Sequence, residues 1–239
     1  MKISVIIPMF NESLIAKEYM DKLAAYMYSA FDDWEVVMSN DGSTDNTKTI
    51  INEIAKADNH FVVSSYDNNR GKGSAIREGI LKSSGDVVVY TDCDLAYGCE
   101  VIKDISDKLI SCGSDIVIGS RAIHPEGYSG YSFARKLASK SYLKILSVVC
   151  GFKHTDSQTG LKCFKGDVAR NIFSKCEING FAFDLEALMI AEKLGYTIEE
   201  FPAKILNNRE SDSRVSLFSD AKKMLCDIKK IKKRLKTFR

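Results

Sequence analysis

Short, unbroken apolar runs alternate with helically spaced segments through the first two-thirds of the chain, and this rhythm constrains the fold more than any other feature. Residues 3–7 (Ile-Ser-Val-Ile-Ile) form a β-branched run closed by Pro8, which reads as a buried strand. Over residues 12–30, Leu14, Ile15, Tyr19, Leu23 and Tyr26 recur on one helical face. Residues 34–39 read as a second strand, followed by the turn Asp41-Gly42-Ser43. Asp45 is placed to cap a helix running through Ile50, Ile51 and Ile54. Residues 61–65, 87–90 and 116–118 supply three more strands, and residues 74–83 another helix. Strands without polar alternation are buried on both faces. The rhythm therefore predicts an α/β fold, a mostly parallel, doubly wound sheet flanked by helices. Beyond residue 120 the pattern loosens. It gives a helix over 133–149, an extended piece over 157–164, a helix over 184–194, a strand over 198–205 and a last helix from 217. The expected organisation is a single domain over 1–215 followed by a basic amphipathic helix over 216–239.

Charge is distributed unevenly. Residues 222–239 hold nine basic residues and one acid, so this tail is +8 while the whole chain is only +2, leaving −6 for residues 1–221. A chain that coats nucleic acid is excluded, because the basic charge is confined to the tail and lacks interleaved stacking aromatics. The tail also carries an apolar stripe at Phe218, Ala221, Leu225, Ile228, Ile231, Leu235 and Phe238. A stripe opposite lysines suits an anionic membrane surface, the apolar side entering the headgroup boundary. The alternative is a helix packed on the domain by the same stripe. Tyr142, Leu143, Ile145, Leu146, Val148 and Val149 offer a second interfacial face, though ordinary core is the preferred reading. No apolar run reaches the roughly 18–20 residues of a bilayer span. The first eight residues lack the basic start and small-residue cleavage site of a signal peptide, so no leader is expected. Seven cysteines show no C-x-x-C spacing and the three histidines are scattered. Reduced thiols in a cytosolic compartment are the simplest expectation.

Doubly wound sheets bind ligands beyond the carboxyl ends of their strands, so chemistry is sought in the residues that follow each strand. Asp92-Cys93-Asp94 follows the run at 87–91. In extended backbone residues i and i+2 face the same way, which brings two carboxylates together. Like charges that close call for a cation, and oxygen donors suit Mg²⁺ or Mn²⁺ with a substrate phosphate completing the shell. A solvated acidic turn is the competing reading. Pro8-Met9-Phe10-Asn11-Glu12 and Asn40-Asp41-Gly42-Ser43 end at the same edge. Phe10 offers a packing face, Asp41 an acceptor for a base N–H, and Gly42 a close backbone approach, together a nucleotide pocket. Plain turn chemistry is again the alternative. Arg70-Gly71-Lys72-Gly73-Ser74 is no P-loop, because Gly73 stands where Ser or Thr must follow the lysine. It is no dinucleotide fingerprint either, because Ile76 stands at the third glycine. What remains is a glycine-rich turn at a helix start, close to an anionic ligand.

Taken in order, these segments resemble glycosyltransferase family 2 over nearly the whole chain. The resemblance runs through 5–12, 40–45, 69–73 and 92–95, then Ile118-Gly119-Ser120-Arg121, Asp156-Ser157-Gln158-Thr159-Gly160-Leu161-Lys162-Cys163-Phe164 and Phe181-Ala182-Phe183-Asp184-Leu185-Glu186. The later motifs are similar to the branch that glycosylates polyprenyl phosphates, and 181–186 to its glucose-transferring rather than mannose-transferring members. The resemblance implies a GT-A fold, a nucleotide-sugar donor (UDP-glucose first), a divalent metal and inversion at the anomeric carbon. It implies donor contacts from Pro8, Phe10, Glu12, Asp41, Gly42, Lys72 and Gln158. Asp92 and Asp94 would face the diphosphate and metal, with Asp94 the direct ligand. Arg121, Arg135 and Ser139 would hold the acceptor phosphate, and Arg209 and Arg214 would cover the donor diphosphate. Such a protein would sit peripherally on the cytoplasmic face of a membrane.

Physical chemistry favours the same roles. Arginine forks match phosphate geometry. A phosphate monoester, with a second pKa of about 6, needs positioning and charge screening rather than deprotonation. Asp156 is then expected to orient the acceptor or a basic residue, with a role as general base left open. Met9, Phe10, Ala96, Thr159 and Leu161 depart from the family's usual residues, which leaves sugar and acceptor open. GDP-mannose as donor, another glycan as acceptor, and a non-catalytic nucleotide- or lipid-binding module are the alternatives.

Overall fold

The computed structural model describes residues 1–129, 133–206 and 217–237. Within the helices at 133–150 and 217–237, the side chains of 133–138, 140, 142, 145, 217–225 and 237 lie outside that description. The elements in chain order are β1 (Ile3–Met9), α1 (Ala16–Ala30), β2 (Trp34–Asp41), α2 (Thr47–Ala57), β3 (Phe61–Tyr66), α3 (Lys72–Lys82), β4 (Val87–Tyr90), α4 (Glu100–Cys112), β5 (Ile116–Ser120), α5 (Phe133–Cys150), β6 (Lys162–Lys165), α6 (Gly166–Phe173), α7 (Phe183–Lys193), β7 (Ile198–Pro202) and α8 (Leu217–Thr237).

The strands form one sheet in the order β3-β2-β1-β4-β6-β5-β7. All neighbours are parallel except β6, which runs antiparallel to both β4 and β5. Alternation within β1 shows how one strand serves two layers. Ile3, Val5 and Ile7 point into the layer built with α1, α2 and α4, while Ile6 points into the layer built with α3, α6 and α7. Both faces are apolar because both are covered, which is why the strands read as continuous runs. Pro8 is tolerated inside β1 because pairing with β4 has ended at Ile6, where the ladder no longer needs an N–H on that side.

Several local expectations shift. The cap of α2 is Asn46, not Asp45. Asp45 sits one residue outside and accepts the N–H of Thr47 at 2.9 Å, doing a cap's work from the preceding turn. The extended piece expected over 157–164 forms ladder only at β6, and β7 ends at Pro202. Helices α4 and α6 add to the elements read from the sequence.

Over its described part, helix α8 packs on the domain by its stripe. Ile228 and Ile231 are each 1% exposed and belong to the same core layer as α6 and α7, with Leu235 packed against it. The described part of the stripe is therefore covered by protein. Lys229, Lys230, Lys232, Lys233 and Lys236 face outward. In α5, Leu146 is fully buried and Leu143 and Val149 pack on the core, while Val148 is exposed. Among the described residues no helix is long and apolar enough to cross a membrane.

Candidate functional site

The chain leaves β1 toward β2 on one side, whereas β4 lies on β1's other flank and leads on to β6 and β5. This reversal opens a crevice at the carboxyl ends of β1 and β4, the place where open α/β sheets take ligands. The residues after β4 enter it. Cys93 (5% exposed) and Leu95 (2%) point into the core, while Asp92 and Asp94 are half-buried on the opposite side. Leu95 adopts φ +46°, a conformation costly for a leucine. It lets Ala96 donate its N–H to Asp94 Oδ1 at 3.1 Å. Opposite lies Gly160, where a Cβ would stand 2.2 Å from Asp92 Oδ2; only a glycine leaves that carboxylate its place.

Lys72, in the first turn of α3, ion-pairs with Asp92 Oδ1. Burial works to lower the Lys72 pKa, but Asp92, Asp184 and Asp94 outweigh it and hold the ammonium above its ordinary value. The loop that carries Lys72 is shaped by Asp41. Its carboxylate, 3% exposed, accepts the Tyr66 hydroxyl at 2.6 Å, the Asn69 side-chain amide at 2.9 Å, and the N–H groups of Arg70 at 2.8 Å and Gly71 at 2.9 Å. The group expected to receive a base N–H is thus already saturated by its own chain. Gly42 makes the same approach possible: with φ +65°, its Cβ would stand 2.4 Å from the Asn68 carbonyl carbon.

The loops after β1 and β2 are laced together. Ser43 Oγ accepts the Asn11 N–H at 3.0 Å, Thr47 Oγ1 the Glu12 N–H at 2.8 Å, and Asp45 Oδ2 the Ser13 N–H at 3.1 Å. Burial alone would raise the Asp45 carboxyl, but the bonds from Thr47 and Ser13 bring it down to about 2. Pro8, Phe10 and Glu12 stand half-buried along this wall.

Across the crevice, Arg121 follows β5 and grips Asp156 bidentately, Nε to Oδ2 at 2.7 Å and Nη2 to Oδ1 at 2.9 Å. The Gln158 N–H adds a bond to Asp156 Oδ1 at 3.1 Å. Burial pushes the Asp156 carboxyl up, yet Arg121 prevails and holds it below the ordinary carboxylate range. A carboxylate so tightly held in its charged form is a poor proton acceptor and a firm anchor for a guanidinium.

Beneath these groups lies a buried set to which the sequence reading gave no role. Lys162, 0% exposed, donates to the Thr159 carbonyl at 2.7 Å and pairs with Asp184 Oδ1 at 2.9 Å. Tyr90 donates its hydroxyl to the same Asp184 oxygen. Burial, then Asp184, pushes the Tyr90 pKa well above its ordinary value. The set fixes the 159–160 backbone against Asp92. Lys162 and Asp184 both sit inside motifs carried by the family resemblance, which is the signal the sequence offers for them.

Ser139 is half-buried on α5. The side chain of Arg135, and Arg209 and Arg214 entirely, lie outside the described residues. The crevice therefore gathers Asp92, Asp94, Lys72, Arg121 and Asp156 around one opening, with Pro8, Phe10, Glu12, Asp41 and Gly42 along one wall. Among the described residues no three His, Cys, Asp or Glu side chains form a metal cage. Two half-exposed carboxylates nevertheless fit a hard divalent cation that draws its remaining ligands from phosphate and water.

The chain matches the Glycosyl transferase family 2 model over residues 4–173. It is 31% identical to a dolichyl-phosphate beta-glucosyltransferase of Trichomonas vaginalis, over 96% of this chain and 72% of the relative. A protein of the same name from Dictyostelium discoideum is 30% identical over 96% and 73%, and one from Saccharomyces cerevisiae 29% over 95% and 72%. In structure the chain is similar to glucosyl-3-phosphoglycerate synthase of Mycobacterium tuberculosis in complex with phosphoglyceric acid. That likeness has a TM-score of 0.68 at 20% identity, over 96% of this chain and 79% of the other. Mannosyl-3-phosphoglycerate synthase of Rubrobacter xylanophilus gives 0.68 at 18% identity, over 99% and 74%. These likenesses establish a GT-A type fold.

Proposed function

The chain belongs to glycosyltransferase family 2, and from that membership we propose that it moves glucose from UDP-glucose to a polyprenyl phosphate, with inversion at the anomeric carbon. The reading is carried by one observation: a crevice at the sheet's reversal with paired carboxylates and Lys72 on one side and the Arg121 guanidinium, anchored by Asp156, on the other. Such a crevice suits a reaction whose leaving group and nucleophile are both phosphates. The names of the relatives, which match over most of both chains, favour glucose and dolichyl phosphate within that class.

In this reading the wall formed by Pro8, Phe10, Glu12 and Gly42 receives the nucleoside. Asp41 shapes it indirectly, through the 69–71 loop it holds. Asp94, with Asp92, would hold Mg²⁺ or Mn²⁺, which when bound would screen the diphosphate charge. Lys72 adds a fixed positive charge beside the same diphosphate, and Gln158, Arg209 and Arg214 complete the donor contacts. Arg121, with Arg135 and Ser139, holds the acceptor phosphate. That phosphate is already charged at neutral pH, so its alignment and screening replace a general base. Asp156 serves as the anchor of Arg121. The acceptor lives in a bilayer, and the outward lysines of α8 meet its anionic headgroups on the cytoplasmic face. With Ile228, Ile231 and Leu235 covered, the described part of α8 offers that surface its charge rather than an apolar face.

The test is transfer of labelled sugar from UDP-glucose, with GDP-mannose in parallel, to polyprenyl phosphate in liposomes. Controls are EDTA and Asp94→Ala. Metal-dependent glucolipid, lost in the variant, supports the reading. Mannolipid alone corrects the donor, and the absence of lipid product from either donor sinks the lipid acceptor.

A further inference from the structure

The segment between α6 and α7 is gripped from two sides. On its outer side stands Arg234 of α8, whose guanidinium donates to the Glu186 carboxylate and to the Lys175 carbonyl. The same group lies 3.1 Å from Glu177 Oε1. Glu186 is 2% exposed, and its second oxygen accepts the N–H groups of Glu177 at 2.8 Å and Ile178 at 2.7 Å. One buried carboxylate thus joins the C-terminal helix to the segment's backbone.

On the inner side the segment carries the start of α3. The Asn179 carbonyl accepts the Gly73 N–H at 2.8 Å. Arg77 donates to Asn179 Oδ1 at 2.8 Å and to the Cys176 carbonyl at 3.3 Å. A Cβ at Gly71 would stand 2.5 Å from the Asn179 oxygen, and one at Gly73 2.7 Å from the Ile178 oxygen. The backbone on both sides of Lys72 therefore rests against residues 178 and 179, and Lys72 is the side chain paired with Asp92.

We infer that Arg234 is a positioning residue of the donor site: through Glu186 and the 175–179 backbone, α8 sets where the first turn of α3 presents Lys72. The inference rests on the reading of the crevice as a diphosphate site. A helix that only covered apolar surface would contribute stability. A helix at the end of this chain of contacts also controls affinity for the diphosphate. The guanidinium is suited to the task, because its fork reaches a carboxylate and a carbonyl together, which an ammonium on a flexible stem does less well.

The experiment compares the full chain with Arg234→Ala, Arg234→Lys and, as a charge-matched control on the far helix α4, Lys103→Ala. Amide hydrogen exchange at Gly73, Glu177 and Ile178 is read beside calorimetric binding of UDP, with GDP in parallel, in the presence of Mg²⁺. Kinetics with UDP-glucose follow. In Arg234→Ala exchange quickens at all three amides and UDP affinity falls about tenfold. KM for the donor rises by more than kcat falls. Arg234→Lys recovers part of each, and Lys103→Ala matches the parent. A folded Arg234→Ala with parental exchange at Gly73 and parental UDP affinity, altered only in melting temperature, overturns the inference. If that variant does not fold, the same comparison on Arg234→Lys decides. Failure of the parent to bind either nucleotide sinks the diphosphate reading instead, and exchange at Gly73 still reports whether α8 and α3 are coupled.

Discussion

Gly160 and Asp156 show how single residues in this crevice divide stability from chemistry. A Cβ on Gly160 meets the tip of the Asp92 side chain, which can rotate away, so Gly160→Ala is expected to leave the melting temperature nearly unchanged. The rotation carries one carboxylate out of the pair. Misplacement of a reacting group by about 1 Å costs on the order of a hundredfold in rate, and transfer assays on the folded variant should show a loss of that size. Asp156 behaves in the opposite way. Its folded pKa lies below the ordinary value, so it contributes stability above about pH 3.9, and that contribution fades as pH falls through the depressed pKa. Asp156→Asn leaves Arg121 without its countercharge in a buried setting and should cost about 3 kcal/mol at pH 7. Urea unfolding should show the gap between parent and variant closing at low pH. If Asp156 only anchors Arg121, the variant raises the acceptor KM and keeps the shape of the pH–rate profile; a lost acid limb, the fall in rate as the base is protonated, would make it the base. The aspartates at 92 and 94 were legible in the sequence because i, i+2 geometry is local. The contacts of Lys162, Asp184 and Tyr90 were not, since they form only when β6, α7 and β4 come together; the family motifs mark Lys162 and Asp184 without saying what they touch.

At the scale of elements, legibility follows the range of the forces involved. The strands β1, β2 and β4 announce themselves because both their faces are covered, while β3, at the sheet's edge and half-exposed, is marked by its β-branched run. The strand β6 is only four residues long and antiparallel on both sides, a pairing set by partners distant in the chain. Helix α4 escaped notice although Ile102, Ile105 and Leu109 are spaced for it and Gly113, at φ +71°, ends it. Helix α8 is the most instructive case. The stripe at Ile228, Ile231 and Leu235 was visible, but helical periodicity gives the apolar face without saying what covers it; α7 and a bilayer would read alike. Two substitution sets separate the faces. Ile231→Ala empties a fully packed position and should cost about 2–5 kcal/mol in denaturant unfolding. Lys232→Glu with Lys233→Glu, on the outward face, should stay within about 0.5 kcal/mol of the parent while weakening retention on anionic vesicles. Matching stability losses from both sets would place the lysines, too, in packed positions.

The whole molecule is an acidic body carrying a strongly basic helix, −6 against +8, and the packing of α8 decides what that asymmetry can do. A stripe inserted among lipid chains would hold the protein by apolar burial, which salt does not weaken. Where the stripe is covered, at Ile228, Ile231 and Leu235, charge alone is left, each lysine near an anionic surface worth about 1 kcal/mol. That attraction reaches only about a Debye length, about 10 Å at 0.1 M salt and about 3 Å at 1 M. Co-sedimentation with vesicles rich in phosphatidylserine should therefore retain the protein at low salt and release it near 1 M, while vesicles of neutral phosphatidylcholine hold none at either. Retention that survives high salt would mean that apolar side chains enter the bilayer after all; where those are Ile228, Ile231 and Leu235, α8 must leave the core. Because Arg234 links that same helix to the start of α3, such a departure would disturb the donor site as well. Vesicle binding that is salt-resistant should then be accompanied by weaker UDP binding, whereas salt-sensitive binding should leave UDP affinity where it was.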